Sequence, residues 1–287
     1  MKDFFFNILR GIVVGLSNVI PGVSGGTMMV SMGIYDKLIL VLTHFIKRFK
    51  EAVKLLVPIL IGMILAIAIF AKVFSEVLFP KFPLQTNLFF IGLILGGLPV
   101  IFRKVKGRKI KLSYILSFAV FFVLVVASAT LGGGDSATTA VSFSFLNMLK
   151  LFAVGVISAA TMVIPGVSGS MIMMVLGYYN VIIDTITAFI NALKDMNVSA
   201  MLDTFVVLVP FGLGVAIGIV LVAKLIEFVL KKYTMIAYWA IIGLIVASPF
   251  AILILMDVGT FGVVEMATGI VLLAAGFFIS LKLGDKN

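Results

Sequence analysis

The sequence predicts an all-α, multi-pass membrane protein built from two inverted repeats, and three observations support this. Hydrophobic residues make up 62% of the 287 residues and charged residues 12%, whereas soluble domains are about half apolar and a quarter charged. The string Val-Ile-Pro-Gly-Val-Ser-Gly occurs twice, at 19–25 and at 163–169. Basic clusters recur at intervals that place all of them on one side of a membrane.

Apolar stretches long enough to cross a bilayer recur along the chain, since a helical crossing takes about 20 residues. In the first half they are 4–20, 27–46, 53–71, 88–102 and 112–131. The alternating pattern of outer-membrane strands is not visible, which indicates an all-α class. Because no small-residue cleavage site closes the first stretch and further stretches follow, we expect it to belong to the folded protein.

The second half repeats the first. Residues 11–47 aligned on 155–191 give 15 identities in 37 positions, and Ile91-Gly92-Leu93-Ile94 recurs at 242–245. The chain is therefore interpreted as a single membrane domain, 1–287, that arose by internal duplication. The repeats are predicted to cover 1–145 and 146–287.

The basic loops predict the orientation of each repeat. If 47–54 and 103–111 are cytoplasmic, the loop 132–147 falls outside. In the second half the lysines at 224–232 and 282–286 then fall inside, so both termini are predicted to be cytoplasmic. Each repeat crosses an odd number of times, and the two repeats are inverted. Inverted repeats are typical of transporters, whose sites lie near the midplane where broken helices meet.

The segments that flank each motif allow two interpretations. They could be two full crossings, or two half-helices of a re-entrant hairpin. We favour the hairpin, so that each repeat is a re-entrant helical hairpin plus about three transmembrane helices. A tip of proline, serine and glycines leaves amides unpaired, which a membrane tolerates only inside protein or beside a wet cavity.

The motif has the residue types of an anion site. Ser24 and Ser168 stand where an N-cap would precede the outgoing helix. The small residues that follow expose successive backbone N–H groups, which bind phosphate or carboxylate at a helix N-terminus. The alternative is close helix packing, because small residues and proline are common in membrane helices. Duplication of seven identical residues favours the functional interpretation.

The motif and its surroundings resemble a known family. Residues 17–27 read Ser-Asn-Val-Ile-Pro-Gly-Val-Ser-Gly-Gly-Thr and residues 160–170 read Ala-Thr-Met-Val-Ile-Pro-Gly-Val-Ser-Gly-Ser. These strings resemble the polyprenyl-phosphate translocases of the PopT type, formerly a domain of unknown function. The resemblance covers essentially the whole chain. It implies a bacterial plasma-membrane flippase that returns undecaprenyl phosphate, the carrier lipid of peptidoglycan synthesis, from the outer to the inner leaflet.

The motif predicts an anion site and the resemblance implies the lipid phosphate as its ligand, so we expect the phosphate at the two motif tips. The candidate phosphate-binding residues are Ser17, Asn18, Gly22, Ser24, Gly25, Gly26, Thr27, Thr161, Gly166, Ser168, Gly169 and Ser170. The expected partners are undecaprenyl phosphate and the bilayer. No nucleic-acid partner is expected, because basic cytoplasmic loops account for the net charge of +10. The sequence does not predict the oligomeric state.

Two other functions fit part of the pattern. Undecaprenyl-diphosphate phosphatases carry a similar Pro-Gly-x-Ser-Arg-Ser-Gly loop, but Gly25 and Gly169 stand at the arginine position. Hydrolysis needs a positive charge on the phosphoryl oxygens and carboxylates to manage a proton or metal. We therefore expect no enzyme, no catalytic residue, no metal and no cofactor; the chain has no cysteine and one histidine. A transporter of small soluble anions fits the same motif.

Five charged residues are candidates for charge pairing or ion coupling: Arg10, Lys72, Glu76, Lys224 and Glu227. We expect Arg10 to extend to the cytoplasmic headgroups, with contact to the phosphate as the alternative. The Lys72/Glu76 and Lys224/Glu227 spacings favour pairing on a helix surface, with coupling to ions or protons as the alternative. Asp36 is expected to reach a membrane interface.

Overall fold

The computed structural model describes residues 2–19, 24–131, 144–167, 169–256 and 261–284. Within these ranges every regular element is a helix, which confirms the all-α class. The first-half helices are α1 (Lys2–Val19), α2 (Gly25–Ser31), α3 (Tyr35–Thr43), α4 (Phe49–Val73), α5 (Phe79–Lys81), α6 (Pro83–Val105) and α7 (Leu112–Leu131). The others are α8 (Phe145–Val163), α9 (Gly169–Val175), α10 (Tyr179–Lys194), α11 (Val198–Lys232), α12 (Thr234–Leu255) and α13 (Val263–Gly284).

Seven helices of the described chain are long and apolar enough to cross a membrane: α4, α6, α7, α8, α11, α12 and α13. This confirms a multi-pass membrane protein. A π-helical turn, Phe74–Leu78, joins α4 to α5. Residues 71–81, which include the polar residues Lys72, Glu76 and Lys81, are therefore helical and follow α4 without a break.

The segment after each motif copy is broken at a glycine. Helices α2 and α3 are bent by 118°, and Gly33 between them adopts φ +70°. Gly177, the matching residue between α9 and α10, adopts φ +76°. Left-handed backbone of this kind suits glycine, which has no Cβ to clash. The geometry fits either a broken span or a re-entrant loop, so the re-entrant hairpin stays a prediction.

The chain forms two compact units whose boundaries differ from those of the sequence repeats. The first unit comprises 1–130, 164–167 and 223–287, and the second comprises 131–163 and 168–222. The turn of the second motif therefore belongs to the same unit as the whole first motif. The inverted relation of the repeats stays a prediction.

Equivalent helices nevertheless pack in equivalent ways inside the units. In the first unit α1 packs on α4, and a Cβ at Gly11 would overlap the backbone of Ile59. In the second unit, a Cβ at Gly155 of α8 would overlap the carbonyl of Phe211 in α11. Gly11 and Gly155 are matched positions of the repeat. Small residues let membrane helices approach closely, which supplies the van der Waals contact that drives their association.

The first unit also joins helices from both halves of the chain. Gly92 in α6 lies against the backbone of Leu273 in α13, and the matching Gly243 in α12 lies against the backbone of Phe118 in α7. Ser117 Oγ of α7 donates to the Ile236 carbonyl of α12 at 3.0 Å. The last two helices of the first half, α6 and α7, therefore pack against the last two helices of the second half, α13 and α12.

Candidate functional site at the motif tips

The first tip lies between α1 and α2. Helix α1 ends at Val19 and α2 begins at Gly25; Gly22 lies outside the described residues. The Gly25 N–H donates to Asn18 Oδ1 at 3.2 Å. One of the amides that the start of α2 cannot pair internally is thus held by the side chain at the end of α1.

Ser24 has the expected N-cap position, with extended backbone at φ −109° and ψ 138°. Its side chain makes no capping hydrogen bond to α2. The residue is 5% exposed, and its hydroxyl has no hydrogen-bond partner among the described residues. A buried hydroxyl without a partner costs about 1–3 kcal/mol. A ligand oxygen within hydrogen-bond distance of Ser24 would supply the partner that the described residues do not.

The turn of the second motif contacts the first tip directly. The Gly166 N–H donates to Thr27 Oγ1 at 2.7 Å, and Thr27 is fully buried. A Cβ on Gly26 would lie 3.3 Å from Cα of Pro165. The sequence placed both Thr27 and Gly166 at the candidate site, and the structure brings these two together. In this conformation the Gly166 amide is occupied by Thr27.

Ser17 and Thr161, matched residues of the two repeats, use their hydroxyls in the same way. Ser17 Oγ donates to the Val14 carbonyl and Thr161 Oγ1 to the Ser158 carbonyl, both at 2.7 Å. Hydroxyls in membrane helices commonly bond to their own preceding turn. Each can still accept a hydrogen bond, but neither has a free proton to offer a phosphate.

In the second unit Gly169 begins α9 beside Thr161. A Cβ on Gly169 would lie 2.8 Å from Thr161 Oγ1, so a larger residue there would displace the Thr161 hydroxyl. Ser158 is fully buried, and its hydroxyl has no hydrogen-bond partner among the described residues. The sequence did not indicate Ser158 as a candidate. Ser168 lies outside the described residues, and of Ser170 only the helical backbone is described.

Arg10 does not extend to the headgroups, which corrects the expectation. The residue is 6% exposed. Its Nη1 donates to Asn7 Oδ1 at 3.1 Å and its Nη2 to the Leu283 carbonyl at 3.5 Å, and the guanidinium lies 4.4 Å from the centre of the Phe6 ring. Leu283 is in the last turn of α13, where free carbonyls favour a cation. Arg10 therefore joins α1 to the end of α13.

Glu227 pairs with a different lysine from the one expected. Glu227 Oε1 accepts from Lys231 Nζ at 2.5 Å, and its Oε2 lies 3.7 Å from Nδ1 of His44. Lys224 is exposed and forms no ion pair with a described residue. Glu76 is exposed on the π turn, and the Lys72 side chain is outside the described set. The Glu227 cluster joins α11 to the end of α3.

A second polar site surrounds Asp36 at the start of α3. Asp36 Oδ2 lies 3.1 Å from Lys104 Nζ and accepts from the Tyr238 hydroxyl at 2.9 Å. These residues line a cavity of about 240 Å³ together with Arg103. Because Lys104 belongs to the strongest basic run of the chain, this position agrees with the expectation that Asp36 reaches an interface.

Comparison with known proteins adds independent information. A family described as undecaprenyl phosphate translocase-like matches residues 14–268. The "Polyprenyl-phosphate transporter" of Staphylococcus aureus (strain NCTC 8325 / PS 47) is 30% identical over 289 residues, covering 99% of this chain and 98% of that protein. The "Polyprenyl-phosphate transporter" of Vibrio cholerae serotype O1 (strain ATCC 39315 / El Tor Inaba N16961) is 24% identical over 261 residues, covering 86% and 76%. No solved structure matches the chain.

Proposed function

The chain belongs to the undecaprenyl phosphate translocase-like family, and we propose that it moves undecaprenyl phosphate from the outer to the inner leaflet of the bacterial plasma membrane. The family match covers residues 14–268, and the two curated relatives are both named polyprenyl-phosphate transporters. The direction suits recycling of a carrier lipid for peptidoglycan synthesis. Both termini and the basic loops face the cytoplasm in this proposal.

The phosphate is held at the motif tips, and the buried hydroxyl of Ser24 is the observation that carries this assignment. Its proton has no acceptor among the described residues, so a phosphate oxygen would supply one. The Gly26 amide adds a donor because the first N–H groups of a helix have no partner within it. The Gly25 amide adds another once it leaves Asn18 Oδ1, to which it donates in the described conformation. Such neutral donors bind an anion without the strong attraction of a buried arginine or lysine, which favours release.

The hydrogen-bonded pair Thr27 and Gly166 forms the other side of the proposed phosphate site. In the described conformation the Gly166 N–H bonds to Thr27. When that bond opens, the Gly166 amide and the Thr27 hydroxyl become available to the headgroup. Alternating access then exposes the tips to one leaflet and afterwards to the other, as in other transporters with broken helices at the midplane.

Hydrolysis is the less favoured alternative. Gly25 stands where the related phosphatase loop carries arginine, and even a Cβ there would lie 3.0 Å from Asn18 Oδ1. An arginine could enter only if Asn18 moved and released the Gly25 amide. Transport of the intact lipid phosphate therefore fits this tip better than cleavage. Release of inorganic phosphate from undecaprenyl diphosphate by the purified protein would reverse this conclusion.

The assignment is tested by measuring undecaprenyl phosphate at the cell surface in cells that depend on this protein. Ser24→Leu fills the buried space with apolar atoms and removes the donor, so we expect surface undecaprenyl phosphate to rise to the level of cells without the protein. Ser128→Leu is the matched control, because Ser128 donates to its own helix at 2.8 Å and lies away from the tip sequence. Normal surface levels in a well-expressed Ser24→Leu strain would refute the site.

A further inference from the structure

A cavity of about 550 Å³ lies in the first compact unit, between α1, α4, the π turn, α6 and α13. Its volume is within the range of small-molecule sites in proteins, roughly 300–1,000 Å³. Five phenylalanines line it: Phe70, Phe74, Phe82, Phe89 and Phe90. Phe74 and Phe90 are buried, with ring centres 6.0 Å apart, whereas Phe70 and Phe82 are exposed at the protein surface. The cavity therefore has an aromatic floor and an open rim.

The polar side chains of the lining are already hydrogen-bonded to the protein. Thr86 Oγ1 donates to the Phe82 carbonyl at 2.7 Å, and Thr268 Oγ1 donates to the Val264 carbonyl at 2.8 Å. Gln85 Nε2 donates to Thr268 Oγ1 at 3.3 Å. These bonds occupy both threonine protons and one Gln85 N–H, and the remainder of the lining that a ligand meets is aromatic and aliphatic carbon. The cavity therefore suits an apolar chain.

The π turn that supplies Phe74 and Leu78 has no counterpart in the second repeat. The matched helix α11 is continuous through 226–230. Ten positions separate Lys72 from Phe82, but nine separate the matched Lys224 from Tyr233. Phe82 and Tyr233 have nearly the same backbone angles, φ −134° and −126°, which supports this alignment. The first repeat thus has one extra residue, which the wider turn accommodates; π turns are frequent at functional sites.

The last turn of α1 contributes residues both to the cavity and to the candidate phosphate site. Leu16 lines the cavity, and the next two residues are Ser17 and Asn18, which holds the Gly25 amide at the tip. Two residues span about 3 Å along a helix. Leu16 and Asn18 point to different faces of α1, so a ligand whose headgroup lies at the first tip reaches the cavity only by passing around the end of this helix.

We propose that this cavity binds the isoprenoid chain next to the phosphate, a proposal that rests on the function proposed above. An isoprenoid chain carries regularly spaced double bonds, so it has fewer freely rotating bonds than a saturated acyl chain. It loses less conformational entropy when aromatic walls hold it. The cavity then selects the carrier lipid from the phospholipids around it, while the distal part of the chain stays in the bilayer.

The test compares two tryptophan substitutions on neighbouring positions of α13. Leu272 lines the cavity and is 38% exposed, whereas Val271 is 67% exposed and is not part of the lining. Leu272→Trp fills the cavity and Val271→Trp is the matched control. Equilibrium binding of farnesyl phosphate, farnesol and dodecyl phosphate is measured on the purified full-length protein. We expect Leu272→Trp to bind farnesyl phosphate and farnesol about tenfold more weakly, with no change for Val271→Trp.

The three ligands separate the chain site from the headgroup site. Ser24→Leu should weaken the binding of farnesyl phosphate but not that of farnesol, because only farnesyl phosphate carries the phosphate group. If Ser24→Leu leaves farnesyl phosphate binding intact, the headgroup site is refuted. The binding measurements on Leu272→Trp then decide separately whether the cavity binds the chain. Equal affinities for farnesol in wild type and Leu272→Trp would overturn the chain site. If Leu272→Trp lowered the affinity for dodecyl phosphate as much as that for farnesyl phosphate, the chain site would also be overturned, because the cavity would then bind any alkyl chain. Leu272→Phe, a smaller change, replaces Leu272→Trp if the latter does not fold.

Discussion

The hydroxyl of Thr27 accepts a hydrogen bond from the backbone N–H of Gly166 at 2.7 Å, so the turn of the second motif copy is bonded to the helix that follows the first copy. The residues are 139 positions apart and both are buried. Thr27 corresponds to Met171 in the second copy, so the bond cannot be formed in the reverse direction. The pair makes the candidate site asymmetric although its sequence is repeated.

Thr27→Val should destabilise the protein by about 1–3 kcal/mol, because the buried Gly166 N–H would lose its acceptor. The valine side chain keeps the shape of threonine, so the effect reports the hydrogen bond. The measurement is the thermal midpoint of the purified protein in detergent. Thr187→Val is the matched control, since Thr187 is exposed and donates to its own helix at 2.9 Å. Equal midpoints for the two variants would contradict the assigned role of the bond.

Gly166→Ala should also destabilise the protein, by about 1–3 kcal/mol, because the position has φ +79° and little space. A Cβ there would lie 3.0 Å from the Leu244 carbonyl oxygen. Gly212→Ala is the control, because a Cβ at Gly212 meets no atom within 4 Å and the residue is inside α11. That control should be neutral or slightly stabilising, as alanine favours a helix over glycine. The idea fails if both variants have the same thermal midpoint and transport rate.

Arg10→Met should lower stability by about 1–3 kcal/mol while leaving the affinity for farnesyl phosphate near the wild-type value. The substitution removes the buried hydrogen bonds to Asn7 and the Leu283 carbonyl. Arg48→Met is the control: the Arg48–Glu51 pair is solvent-accessible at 3.1 Å, and such pairs contribute at most about 1 kcal/mol. A large loss of lipid binding in stable Arg10→Met protein would instead place Arg10 in the phosphate site.

Helix positions and the candidate tip were predictable because they depend on local sequence. The stretch 112–131 was expected to cross the membrane and forms α7 at Leu112–Leu131. Ser24 was expected before the outgoing helix and stands there. Apolar length and small or cap-forming residues are properties of neighbouring positions, so they can be seen without the fold.

The partners of the charged residues were not predictable in the same way. Arg10 was expected to extend to the headgroups, yet it binds the end of α13, more than 270 positions later. Glu227 was expected to pair with Lys224 but pairs with Lys231, while His44 from another helix approaches its second oxygen. Spacing on one helix allows several pairs, and contacts between helices decide among them.

The sequence alone determined that this protein is a helical membrane protein with a duplicated motif and a family of lipid-phosphate transporters as its relatives. Composition, periodicity and repetition carry that information because bilayer thickness and helix geometry act on every segment locally. Only the tertiary structure decided that the Gly166 N–H bonds to Thr27, that the buried Ser24 hydroxyl has no partner among the described residues, and that five phenylalanines line one cavity beside α1. Those features depend on helices distant in sequence meeting at close-packed glycines, where small differences between the two copies determine which atoms can touch.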